Sequence, residues 1–181
     1  ITGSEISGHS GTGIHINPGA SLTVTSSAIR RNSTGIAGGG TLTVVASTIS
    51  ENSTPDSGGG ISSSGPLTVI DSEIVNNSAG QSGGGIYSSG DVTIIRTAIA
   101  GNVAGLDGGA VHSWWTGSIA IVDSTLSNNV AGRNGGGLFV LIYRGAATVL
   151  NSTISGNTSG DLGGGLWLYS NLLPIRIAHS T

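Results

Sequence analysis

Asp71, Arg96, Asp123, Asn151 and His179 each directly follow a four-residue stretch whose first and third residues are apolar: "LTVI", "VTII", "IAIV", "ATVL" and "IRIA". If equivalent positions stack one strand apart, Asp71 and Asp123 stand ~9.6 Å from each other. Two carboxylates near that separation can act as the acid and the base of an inverting glycosidase. Arg96 falls between them, however, and a neighbouring cation lowers a carboxyl pKa where a general acid needs it raised. The column reads as a surface ion ladder. Asp91 and Asp107 are the carboxylates near Trp114 and Trp115, thin support for a catalytic groove.

The other chemistry-bearing residues give equally little. His9, His15, His112 and His179 fall in different columns or distant repeats, so no zinc site is expected. "AGLDGGA" lacks the repeated G-G-x-G-x-D of calcium-binding β-rolls. No Ser/His/Asp set shares a face, and no cofactor is expected. A threonine row (Thr23, Thr43, Thr68, Thr93, Thr148, interrupted by Ala120) is a single column, which β-propensity explains without invoking ice binding. "NST" at Asn32 and Asn52 matches a glycosylation acceptor, but both asparagines have a structural place in the repeat.

That repeat must position everything else. The apolar residue of an S-x-I element stands at 6, 29, 49, 74, 99, 126 and 154, at steps of 23, 20, 25, 25, 27 and 28. Three residues later come Asn32, Asn52, Asn77, Asn102, Asn129 and Asn157, with His9 in that place in the first copy. From Asn52 onward a Gly-Gly-Gly or Gly-Gly-Ala follows six residues after the Asn. Fixed offsets inside each copy, with length varying at one place, describe stacked coils with one free loop. "LTV" and "GGGIYS" alternate with period two and no window has a helical period.

The expected fold is an all-β, right-handed parallel β-helix of about seven coils with three short strands per coil, spanning residues 1–181 as a single segment. Ile, Leu and Val columns fill the bore. The six asparagines are expected to form a hydrogen-bonded ladder at a corner, tolerating left-handed φ there. A Ser column (Ser27, Ser47, Ser72, Ser124 and Ser152, with Thr97) is expected to bond along the stack. Because the chain starts and stops in mid-coil without a polar cap, it is expected to be a slice of a longer chain or to stack on another.

Function should then lie where the repeat deviates. All seven aromatics fall between Tyr87 and Tyr169. Tyr87, His112, Phe139 and Trp167 take the same outward position in successive coils. Longer loops beyond them carry Trp114, Trp115, Tyr143 and Tyr169, with Leu141, Leu172 and Leu173 nearby. Such a stripe is either buried by its own loops, or a contact surface for another protein or subunit, or a platform for sugars. Nucleic acid is not an expected partner, given a net charge of −3 and six scattered arginines without a lysine. No segment is apolar over a membrane-spanning length, and without cysteine the redox compartment cannot be read.

The pairing of "ISEN", "IVNN", "IAGN", "LSNN" and "ISGN" with "GGGI", "GGAV" and "GGGL" resembles the repeat of the chlamydial polymorphic outer membrane proteins. Ile or Leu stands where that family usually has Phe, which points to the wider class of bacterial surface β-helix proteins. The resemblance implies an extracellular or cell-surface protein of bacterial origin, structural or adhesive, without catalytic residues. The alternative is a carbohydrate-active enzyme of the polysaccharide lyase or glycoside hydrolase kind, or a sugar-binding module, since the fold hosts many.

Overall fold

A computed structural model of the chain describes residues 1–115, 117–170 and 174–181. Among these, 26 strands form four parallel sheets and there is no helix. Each coil passes through the sheets in the same order. The threonine sheet runs from Ser21–Thr25 to Ile175–Ala178, the isoleucine sheet from Glu5–Ser7 to Thr153–Ser155, and the aromatic sheet from Ile14–Ile16 to Leu166–Ser170. Each of these three has seven strands.

A fourth sheet of five two-residue strands, Ser53–Thr54 to Thr158–Ser159, lies between the isoleucine and aromatic sheets. Three strands per coil therefore becomes four from Asn52 onward. Two residues are too short to display a period-two pattern, so this element leaves no signal in the sequence.

Register is the organising fact. Leu22, Leu42, Leu67, Val92, Ile119 and Ala147 pair in succession, as do Ile29, Ile49, Ile74, Ile99 and Leu126. Apart from Leu22 at the first of these coils, every one of these side chains is at most 2% exposed. Each buried Ile or Leu contributes roughly 1.5–3 kcal/mol of transfer free energy. The bore is a dry aliphatic column that holds the outward residues at strand spacing.

Two left-handed corners per coil bend the chain around it. One falls on Ser26, Ala46, Asp71, Arg96, Asp123, Asn151 and His179, with φ between 47° and 52°. The other falls on Arg31, Glu51, Asn76, Gly101, Asn128 and Gly156, the residue before each ladder asparagine rather than the asparagine itself. Left-handed geometry was expected at the Asn. The Asn side chain is instead turned into the stack, which leaves its neighbour to make the bend. The Gly triplet forms a third corner. Gly83 has φ +69°, and a Cβ on Gly85 would lie 2.6 Å from the Ala110 carbonyl oxygen. Coils approach closely there, and the methyl of Ala110, fully buried, is the largest side chain that stands in that place among the glycine corners.

Candidate functional site

The stacked corners first fix the scaffold. Asn52 donates its backbone N–H and its Nδ2 to Asn77 Oδ1 at 3.1 and 2.9 Å, and Nδ2 also reaches the Ile29 carbonyl at 3.1 Å. Asn77 repeats this onto Asn102, Asn102 onto Asn129, and Asn129 onto Asn157. Asn32 bonds Asn52 in the same way, and His9 supplies only its backbone N–H to Asn32. Asn52, Asn77, Asn102 and Asn129 are at most 1% exposed. An amide suits the position because it donates twice and accepts twice in one plane.

The serine column bonds as expected. The backbone N–H of Ser47 donates to Ser72 Oγ at 3.1 Å, while each hydroxyl donates to the carbonyl two residues back. A third ladder, absent from the sequence reading, runs the other way. Ser82 donates its N–H to Ser57 Oγ, Asp107 to Ser82 Oγ, Asn134 to Asp107 Oδ1, and Leu162 to Asn134 Oδ1. Its only sequence signal is a short polar residue just before each glycine corner, in four of the five coils.

The aromatic sheet carries the candidate contact surface. Its register pairs Tyr87 with His112, His112 with Phe139, and Phe139 with Trp167. The rings stack at centroid distances of 5.1, 4.6 and 4.3 Å, with interplanar angles of 13°, 6° and 3°. Two residues further along the longer strands, Trp114, Leu141 and Tyr169 form a second outward row.

The two rows join into a closed circuit. From Trp167 the path runs to Tyr169 at 6.5 Å, Tyr143 at 6.3 Å, Trp115 at 5.1 Å and Trp114 at 6.3 Å, and back to His112 at 5.8 Å. All eight residues expected to form this surface are brought together. They are not equally accessible: His112 is 3% and Phe139 5% exposed, while Trp114, Trp115, Tyr143 and Tyr169 are 38%, 53%, 44% and 46% exposed. Two rings thus form the floor and four present themselves to solvent. Leu172 and Leu173 lie outside the described residues.

Trp115 pairs in register with Ile142, which faces inward and is 1% exposed. A φ of 88° instead turns the indole to solvent. For a bulky residue that backbone conformation is a genuine outlier.

The family model of the right-handed β-helix region matches residues 1–173. The chain belongs to the right-handed β-helix family. Nothing in that match singles out the chlamydial proteins whose motif pair the repeat resembles. No curated protein and no solved structure matches the chain.

In this β-helix the charged column carries one ion pair and one amide contact, so the ladder expected along it is formed only in part. Arg96 grips Asp71 with Nε to Oδ1 at 2.7 Å and Nη2 to Oδ2 at 2.9 Å, and Asn151 Nδ2 donates to Asp123 Oδ1 at 3.2 Å. The Arg96 hydrogen bond holds the Asp71 carboxyl below its ordinary range, the opposite of what a general acid requires. Outside that column Arg30 pairs with Glu5 Oε1 and Arg31 with Glu51 Oε2 at 2.8 and 2.7 Å. Asp91 Oδ1 accepts from the Ser118 N–H at 2.8 Å, and Asp107 Oδ1 is held by Asn134 through its N–H and Nδ2. The two carboxylates thus serve loop and corner geometry. Among the described residues no group of three or more His, Cys, Asp or Glu is placed to hold a metal ion. Among the described residues no helix is long and apolar enough to cross a membrane.

Proposed function

We propose that this chain is a non-catalytic structural or adhesive segment of an extracellular or cell-surface bacterial protein, and that its C-terminal coils contact another protein or subunit through the aromatic circuit. The observation behind this reading is Trp115. Its backbone conformation costs on the order of 1–3 kcal/mol, and the residue gains no burial from it. Strain of that kind persists where it serves something other than stability. Scattered exposed apolar residues are ordinary. Four large aromatics sharing one patch, on a floor of two buried rings, have the composition and the rigidity of an interface anchor. The surface location rests on the motif resemblance.

The test is site-specific photocrosslinking. A photoreactive amino acid replaces Tyr143 or, as a control on a different sheet, Thr68 of the threonine sheet, and the protein is irradiated where it is naturally displayed. A discrete protein adduct at position 143, absent at 68 and lost in Trp115→Ala, supports the reading. Equal labelling at both positions, or none at 143, overturns it. A glycan array at neutral pH, positive for the native chain and negative for Trp115→Ala, would transfer the face to a saccharide.

A further inference from the structure

Stacking explains every ring of the circuit except His112. Tyr, Phe and Trp occupy the equivalent places in neighbouring coils. A phenyl ring at position 112 would stack as well and strand no polar atom. The imidazole Nδ1 is instead buried without a hydrogen-bond partner, on a side chain that is 3% exposed. A buried orphan of this kind costs free energy and calls for an explanation. What an imidazole adds to such a stack is a site for a proton.

We propose that His112 is an acid-responsive element of the aromatic face: on taking up a proton its ring leaves the stack between Tyr87 and Phe139, and the surface around Trp114 reorganises. As regulation of that face, this rests on the contact role proposed above.

The geometry supplies the two states. Neutral His112 lies nearly parallel to Tyr87, Phe139 and Trp114 at 5.1, 4.6 and 5.8 Å. A cationic ring there is cut off from water, and that loss outweighs what Asp107 and its own backbone offer the charge, so the charged form favours solvent. Burial accordingly holds the imidazole pKa at about 4, against an ordinary 6.5, with the field of Asp107 and a hydrogen bond to its own backbone pulling the other way. The strands on either side contribute Tyr87 and Phe139, and its own strand Trp114; none of these ionises in acid. Asp107, at the glycine corner before the strand, is the charged group whose field reaches the ring, and its Oδ1 is engaged by Asn134.

Because the folded pKa lies below the unfolded one, the stacked state keeps its full stability above about pH 6.5 and loses it as pH falls towards and through 4. Over that range the protonated fraction rises about tenfold for each pH unit. The change stays local, since the residues flanking His112, Val111 and Ser113, point into the bore and are 0% and 2% exposed.

The isolated chain is titrated from pH 7.5 to 3.5, following the His112 ring by NMR and the aromatic environment by near-UV circular dichroism. Far-UV dichroism monitors the coils. The expected result is a near-UV change whose midpoint tracks His112 near pH 4 with the coils intact. It should be absent in His112→Phe and moved to lower pH in Asp107→Asn. A His112 titrating near 6.5, or the same near-UV change in His112→Phe, overturns the proposal. If His112→Phe fails to fold, the native ring titration and the Asp107→Asn shift still decide it. Photocrosslinking at pH 7.5 is independent of this titration, so either reading can fail while the other stands.

Discussion

Two columns of this solenoid, one inside and one outside, obey the same register and treat sequence differently. At the Asn corner the side chain is enclosed by the coils above and below, and one residue type recurs from Asn32 to Asn157. On the outer face of the aromatic sheet the column reads His15, Ala37, Ser62, then Tyr87, His112, Phe139 and Trp167. Stacking fixes where both columns lie, but only the enclosed one dictates which residue must fill it. Freedom of choice outside is what allows the C-terminal coils to acquire a surface the N-terminal coils lack.

The contrast breaks most readily at the ladder. Asn77→Ala removes the acceptor for the Asn52 N–H and Nδ2, and withdraws the donor from the Ile49 carbonyl and Asn102 Oδ1, all in a site 1% exposed. At about 1–3 kcal/mol for each buried group left unpaired, a loss of roughly 4 kcal/mol is expected in urea unfolding. Ser62→Ala, on the outer face, is expected to stay within about 0.5 kcal/mol. Similar losses at the two sites would mean that enclosure does not separate the columns.

How far the sequence revealed this arrangement follows from the same physics. Offsets that recur in every coil are visible as repeats, so the bore columns, the Asn and Ser ladders and the Tyr87–Trp167 row could all be placed by counting. The left-handed bends at Ser26, Ala46 and Arg96 could not, because the fold imposes φ > 0 there on residues that do not favour it. The Ser57–Ser82–Asp107–Asn134 ladder escaped because three different side chains do one job, offering an oxygen to the next coil's N–H. Burial within the aromatic face was also hidden. Register puts Phe139 on the outer row and Trp115 opposite the inward Ile142, yet neighbouring rings cover Phe139 and a φ of 88° turns Trp115 to solvent.

A second pair of substitutions sharpens that last distinction. Phe139 lies between His112 and Trp167 and is 5% exposed, so Phe139→Ala should cost about 3 kcal/mol and disturb the near-UV spectrum. Trp115→Ala removes a half-exposed indole and eases the φ of 88° only slightly, so stability should change by less than about 1 kcal/mol. Crosslinking to a partner should nonetheless be lost with Trp115. A loss of stability at Trp115 as large as at Phe139 would make the whole face an internal cover for the rod.

The smallest expected effect concerns the bends themselves. Ala46 holds φ 47° with its side chain exposed, in a column where Asp71, Asp123 and Asn151 hold the same geometry with residue types that tolerate it better. Left-handed φ costs an L-residue roughly 1–2 kcal/mol, and glycine is free of that cost. Ala46→Gly also adds freedom to the unfolded chain, worth about 0.4–1 kcal/mol against folding. The balance is a gain of roughly 0.5–1 kcal/mol, read as a higher urea midpoint with an unchanged slope. The same substitution at Thr43, three residues earlier in an extended strand, offers no strain to relieve and should destabilise. Opposite signs at positions 43 and 46 would establish that the corner is held by the stack against local preference. A loss at both would place the bend in the residue itself and remove the reason for treating register as the dominant force.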